Sequence, residues 1–244
     1  MTNSRKGNMY EFVSHTWNVI KGRCFHNCAY CYMKKWKQNS LHFDNKELTT
    51  DLGSNNFIFV GSGTDMFAKN VNPIWVTRVL DYCNGFNNKY LFQSKDPANI
   101  LRHINHPVFQ KSVVCTTIES NRFYTSVMGK APAIEERVSA MEKISNKGIT
   151  TFVTCEPIMD FDVDDLTSLV LRCHPQQVNI GRNSWPEVSI PEPTNEKVAE
   201  FISKLTPSAH VKLKKNIWEY NQARQTSLQE SVKEYFVTKP NTLF

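Results

Sequence analysis

Three cysteines lie close together in Cys24-Phe-His-Asn-Cys28-Ala-Tyr-Cys31, and their thiols are the groups in this sequence best suited to demanding chemistry. As thiolates on one loop they can bind three corners of a cubane iron–sulfur cluster and leave the fourth iron without a protein ligand. Zinc is the alternative: the same cysteines with His26 or His15 would complete a tetrahedral set. Zinc sites usually draw their ligands from two paired knuckles, however, and no second C-x2-C pair occurs in the chain. The spacing therefore favours the cluster.

The surroundings of the cysteines are basic. From Phe12 to Phe43 the sequence has no Asp or Glu, while Lys21, Arg23, Lys34, Lys35 and Lys37 flank the motif. A basic rim of this kind suits an anionic ligand: a nucleotide, a nucleic acid or a carboxylate. The net charge of +6 over 244 residues is modest, so it is this distribution rather than the total that carries the expectation. An odd number of cysteines, seven, with three of them clustered, points to metal binding in a reducing compartment rather than to disulfides. No apolar run is long enough to span a bilayer, and Met1 to Glu11 is polar, unlike a signal peptide. The expected location is the cytoplasm, with no membrane partner.

What must position these residues is a repeating pattern of short β-rich runs and helical segments. The strand candidates are Thr16–Ile20, Phe57–Val60, Tyr90–Gln93, Val113–Thr117, Thr150–Cys155 and Gln177–Ile180, most of them rich in β-branched or aromatic residues. Between them, Asn72 can cap a helix that has Pro73 at its first position and an apolar stripe of Trp75, Val76, Val79, Leu80 and Cys83. A second stripe, Ile134, Val138 and Met141, stops at Asn146-Lys147-Gly148. A third contains Leu166, Leu169, Val170 and Cys173; a fourth, Val198, Phe201, Ile202 and Leu205, is capped by Thr194. Alternating strands and helices imply crossover connections and a parallel sheet. The fold class is α/β: a partial (β/α)6 TIM-type barrel over residues 1–209. Residues 210–244 are expected to form a C-terminal extension, strand-like at first and then helical, packed over one end.

In such barrels the site gathers at the C-terminal ends of the strands. The residues there are Gly61-Ser62-Gly63-Thr64-Asp65, Lys95, Thr117 and Glu119, Glu156, and Arg182 with Asn183. Gly61, Ser62 and Gly63 can bring backbone close to a ligand, and Asp65 offers an acceptor for a cation. Lys95 suits a carboxylate, and Thr117 and Glu119 suit ribose hydroxyls. The acidic run Asp160, Asp162, Asp164 and Asp165 is read as a solvated turn capping the next helix.

The C-x3-C-x2-C spacing resembles the signature of the radical S-adenosylmethionine superfamily. The stretches Gly61 to Phe67, Ser94-Lys95-Asp96-Pro97, Thr117 to Asn121 and Cys155-Glu156-Pro157-Ile158 are similar to strand ends of a phage-associated family within it, whose function is undefined. A more distant resemblance is to spore photoproduct lyase-like proteins. The likeness implies a [4Fe–4S] cluster on Cys24, Cys28 and Cys31 whose open iron is chelated by S-adenosylmethionine. Reductive cleavage of that cofactor would give a 5′-deoxyadenosyl radical that takes hydrogen from the substrate. By the same resemblance Tyr30 packs near the adenine and Lys95 holds the methionyl carboxylate. Where superfamily members commonly have Gly-Gly-Glu to receive the cofactor's ammonium, this chain has Gly61 to Asp65. The implied partners are a one-electron donor such as flavodoxin or ferredoxin and an anionic substrate, with a nucleotide or nucleic-acid base foremost. The alternatives are a maturase acting on a protein or peptide and a non-catalytic zinc module that binds nucleic acid. Of the remaining cysteines, Cys83 and Cys173 are expected in the core. So are Cys115 and Cys155, for which hydrogen-atom donation is the functional alternative.

Overall fold

The computed structural model describes residues 9–219. Seven strands form one wholly parallel sheet: β1 (His15–Trp17), β4 (Phe57–Val60), β5 (Lys89–Gln93), β6 (Ser112–Thr117), β7 (Thr150–Cys155), β8 (Gln177–Ile180) and β9 (His210–Leu213). Their spatial order is their order along the chain, as expected of a barrel wound in one direction. Two further strands, β2 (Ile20–Lys21) and β3 (His42–Phe43), pair antiparallel and bracket the cysteine loop within the first crossover.

The helices stand where their signals placed them. Asn72 Oδ1 accepts from Ile74 N at the start of α1 (Pro73–Asn84), which buries Val76, Val79, Leu80 and Cys83. The single turns α2 (Pro97–Ile100) and α3 (Thr125–Met128) precede α4 (Ile134–Ser145), which ends before Gly148, at φ +76°. α5 spans Val163–Arg172, and Thr194 Oγ1 accepts from Lys197 N at the start of α6 (Asn195–Leu205). A last turn, α7, spans Asn216–Glu219. Among the described residues no helix is long and apolar enough to cross a membrane.

Two features depart from the expected plan. The first four residues of the expected extension, His210–Leu213, pair in parallel with β8 from Gln177↔His210 to Ile180↔Leu213 and widen the sheet to seven strands. The rest of the expected polar helix, beyond residue 219, lies outside the described residues. The first strand also ends earlier than expected, at Trp17, whose carbonyl accepts from Gly61 N at 2.9 Å. Ile20 then turns away to pair with Phe43.

Parallel strands covered on both faces need apolar side chains on both. Every residue of β6 is buried. One face packs on the helices, with Tyr90, Phe92, Val114 and Val153 in the main core. The other face is closed by the segment before β1: Tyr10 and Val13 pack with Leu91, Val113 and Cys115, and Phe12 stacks on Tyr10 and meets Phe57 and Phe152 edge-on or tilted. The barrel is thus plugged with aromatic rings, and its remaining space opens at the C-terminal ends of the strands.

Candidate active site

That space is a cavity of about 260 Å³ lined by all three motif cysteines, the Gly61–Asp65 loop, Tyr30, Lys95 and Thr117, over Phe59 and Gln93. Glu156, Asn183 and Ser184 line it from the later strands, and Arg23 and Lys34 from the cysteine loop.

The loop that carries the cysteines is held by backbone contacts rather than by regular structure. Asn27 takes a left-handed φ of +52°, a conformation that asparagine tolerates better than most residues. Ala29 N donates to Val127 O at 2.8 Å and Lys130 N to His26 O at 2.7 Å, so the loop sits on the turn α3. Gly129, at φ +64°, allows this approach: a Cβ there would stand 2.3 Å from His26 O. After Cys31 the chain makes a 3-10 turn, Tyr32–Lys35.

The glycine loop is clamped to the cysteine loop from both sides. Asn18 Oδ1 accepts from Gly63 N at 2.9 Å, Thr64 Oγ1 donates to Gly22 O at 2.7 Å, and Tyr32 OH donates to Ser62 O at 2.9 Å. Asp65 does more than face the cavity. Its Oδ2 contacts His26 Nε2 at 2.8 Å and accepts from Ser94 Oγ at 3.0 Å and Lys95 N at 2.9 Å, while Oδ1 accepts from Phe67 N at 3.0 Å. His26 is thus held through Nε2 by a carboxylate, while His15, the other histidine weighed for a zinc set, starts β1 at the end of the strand opposite the cavity.

All three motif thiols face the one cavity. Burial, with the Asp65 charge adding to it, pushes Cys24 up to about 12, and burial also raises Cys28, so both thiols resist ionising unless a cation stands beside them. Among the described residues no three His, Cys, Asp or Glu side chains converge on a single ion position. A cubane makes no such demand, because each of its cysteines binds a different iron.

Lys95 and Glu119, expected to meet the cofactor, first meet each other. Glu119 is fully buried and does not line the cavity, so it is not placed to reach a ribose. Its Oε1 accepts from Lys95 Nζ at 2.5 Å and from the Tyr30 hydroxyl; its Oε2 accepts from Arg137 Nη1 at 2.7 Å. Lys95 Nζ also reaches Tyr30 OH at 2.6 Å. Burial alone would raise the Glu119 pKa, but the Arg137 and Lys95 charges hold it at about 2. Tyr30 is therefore fixed by its hydroxyl, with its body at the cavity wall. Thr117 lines the cavity as expected, 3.5 Å from Gln93 Nε2.

Other expectations resolve as follows. Lys21 is not part of a free basic rim: Asp44 and Glu47, just past the acid-free stretch, each stand 2.8 Å from its Nζ. Arg23, Lys34, Lys35 and Lys37 make no ion pair among the described residues. Arg182 is buried and bound to Glu192 and Asn195, away from the cavity; Asn183 lines it but spends its amide on Trp185 and Val188 carbonyls. Glu156 pairs with Lys214 at 3.3 Å, and burial raises its pKa despite that charge. The acidic run is cross-linked: Asp160 to Arg122 and Lys197, Asp162 to Arg122, Asp164 to Lys204. Cys83, Cys115, Cys155 and Cys173 are buried and line no part of the cavity. Asn18 and Arg137 are the site-building residues that pattern alone did not single out, and His26, weighed there only as a zinc ligand, serves as the partner of Asp65.

No protein-family model and no curated protein sequence matches the chain. Solved structures do. A spore photoproduct lyase mutant with bound AdoMet and dinucleoside spore photoproduct is similar with a TM-score of 0.61 at 10% identity, over 95% of this chain and 76% of that one. The lyase complexed with the dinucleoside photoproduct gives the same TM-score, 0.61, at 10% identity. Streptococcus suis SuiB is similar at 0.56 and 9% identity, over 85% of this chain and 51% of its own. At these identities what is shared is the fold, a partial α/β barrel.

Proposed function

We propose that this chain is a radical S-adenosylmethionine enzyme acting on an anionic substrate, a nucleotide or nucleic-acid base. The observation that carries the reading is convergence: three thiols from one loop, the Gly61–Asp65 loop and Lys95 meet in one cavity at the strand ends. Cys24, Cys28 and Cys31 would hold a [4Fe–4S] cluster with one iron left open. Gly61, Ser62 and Gly63 offer backbone, Asp65 and Lys95 offer charges of opposite sign, and Tyr30 and Thr117 form the wall against which S-adenosylmethionine would lie. When bound, cluster and cofactor together supply one-electron cleavage of a sulfonium to a radical able to remove a hydrogen atom from the substrate. The chain's own work is to position and to exclude water. Glu119 holds Lys95 and Tyr30, and Asp65 holds His26 and the cysteine loop. The electron would come from a donor such as flavodoxin or ferredoxin. Free thiols at every cysteine suit a reducing compartment, the cytoplasm.

Support for the substrate class comes from Arg23 and Lys34 at the cavity wall and from the fold shared with an enzyme solved with a dinucleoside bound. The test is anaerobic reconstitution with iron and sulfide, then dithionite and S-adenosylmethionine. A brown protein with iron and sulfide bound, releasing 5′-deoxyadenosine, is expected, with nucleotides and oligonucleotides added where release requires substrate. Stoichiometric zinc without iron, or S-adenosylhomocysteine as the sole product, would sink the reading.

A further inference from the structure

We propose that the turn after Cys31, with Trp185 beside it, is a docking surface for single-stranded nucleic acid, in which bases stack on Tyr32 and Trp36 and phosphates meet Lys34, Lys35 and Lys37. This rests on the reading of a nucleic-acid substrate and specifies how it is held.

The observation is an exposure that the fold does not require. Tyr32 is 43% and Trp36 59% exposed, although large aromatic side chains gain most from burial. Tyr32 lines the cavity and Trp36 closes the same short turn, their ring centroids 6.1 Å apart and planes at 88°, an edge-on pair that leaves much of both rings exposed. They are held for this presentation. Tyr32 OH is bound to Ser62 O at 2.9 Å, Trp36 N donates to Met33 O at 3.2 Å, and Gln38 Nε2 donates to the carbonyls of Met33 and Trp36. Positive charge interleaves with the rings. Lys35 Nζ lies 5.5 Å from the Trp185 ring centroid, Lys34 lines the cavity, and neither they nor Lys37 is neutralised by a carboxylate among the described residues. Lys21 shows the contrast: it is fully engaged by Asp44 and Glu47 and contributes no attraction.

Aromatic faces interleaved with unpaired cations are the means by which single strands are bound without regard to sequence. In a duplex the base faces are covered by their neighbours, so these rings would have nothing to stack on. The surface therefore selects unpaired nucleotides and leads them to a cavity whose mouth it borders.

The test uses the anaerobically reconstituted full chain, a fluorescein-labelled oligothymidylate and a duplex of equal length. Anisotropy should show the single strand bound at least about tenfold more tightly than the duplex, with affinity falling steeply as salt rises. Trp36→Ala should weaken single-strand binding by about tenfold, and its exposure makes this substitution safe for folding. Lys35→Gln with Lys37→Gln should lower the slope of log affinity against log salt by about 1.4. Quenching of wild-type tryptophan emission by the strand, reduced in Trp36→Phe, gives an independent readout. Equal affinity for the duplex, or unchanged binding in Trp36→Ala, would overturn the proposal. So would quenching of Trp36 by acidic peptides with no response to oligonucleotides, which would assign the face to a protein. Measuring 5′-deoxyadenosine in the same preparation separates the two readings. Strand binding without cofactor cleavage would sink the enzyme and leave the surface, and cleavage without strand binding would do the reverse.

Discussion

The carboxylate of Asp65 and the imidazole of His26 stand 2.8 Å apart, Oδ2 to Nε2, and both are almost entirely buried. This contact joins the cysteine loop to the end of β4, and through Ser94 Oγ and Lys95 N to the end of β5. Burial would raise the Asp65 pKa, but the His26 contact and these two donors bring it below the ordinary carboxylate value. One side chain thus sets the distance between the thiols and the wall opposite them.

Asp65→Ala should therefore cost more than a cofactor contact. It strips partners from His26, Ser94 Oγ and the Lys95 amide, and each buried polar group left unsatisfied costs about 1–3 kcal/mol. We expect a lower urea midpoint in the metal-free protein and a reduced iron content after reconstitution, with Asp65→Asn recovering part of both. Full iron loading at wild-type stability would show that the loop does not depend on this bond.

Glu119 provides a prediction in pH. Its carboxyl has an ordinary value of 4.5 and is held at about 2 in the folded chain, burial opposing and Arg137 and Lys95 lowering. The unfolded state takes up the proton first as pH falls. The stabilisation is thus complete above about pH 4.5 and disappears as pH drops towards 2. Glu119→Gln should lose about 3–5 kcal/mol at neutral pH, because Arg137 and Lys95 keep their charges without their partner. The variant should also lose less stability than wild type between about pH 4.5 and pH 2, the window set by the two values. Parallel acid-unfolding curves of wild type and variant would contradict this account.

The structure separates the cysteines into two groups. Cys24→Ala, Cys28→Ala and Cys31→Ala should each lower bound iron and sulfide, and the triple variant should bind none while keeping its far-ultraviolet circular dichroism. Cys115→Ala and Cys155→Ala should retain the cluster, because both thiols are buried off the cavity, where burial raises their pKa above the ordinary thiol value. Retained 5′-deoxyadenosine release with loss of substrate product in either variant would instead assign it as a hydrogen-atom donor.

Much of this architecture was legible because its signals are local. Asn72, Pro73 and Thr194 mark helix starts by their own chemistry, and the strands are short β-branched runs. β9 read as strand-like but not as the seventh strand of the sheet: His210–Leu213 alternates exposed and part-buried residues, so its pattern does not point to a place beside β8. Tyr10 and Phe12 lie in a polar segment, and their partners, Leu91, Val113 and Phe152, are far away in sequence. The role of Glu119 had one available signal. Arg137 falls on the apolar stripe of α4 between Ile134 and Met141, and a buried arginine demands a buried carboxylate. Lys21 was misread for a similar reason, since its partners, Asp44 and Glu47, begin one residue after the acid-free stretch ends.

Gly129 offers a test of the loop that touches no proposed ligand. Its φ of +64° and ψ of −126° lie in a region open to glycine and strained for residues with a side chain. A Cβ there would also stand 2.3 Å from His26 O and 3.0 Å from Asn27 O, both backbone atoms between Cys24 and Cys28. Gly129→Ala must therefore push the cysteine loop away from α3 and break Lys130 N to His26 O, the bond that seats it. Gly148 is the control: its φ is +76°, but a Cβ would meet nothing within 4 Å. Gly148→Ala should cost only the left-handed backbone penalty, about 1–2 kcal/mol, and leave iron binding intact. Gly129→Ala should lose more stability than that and should reconstitute with less iron, although every cysteine is present. Equal iron content in the two variants would mean that the thiols find the cluster without the seat provided by α3.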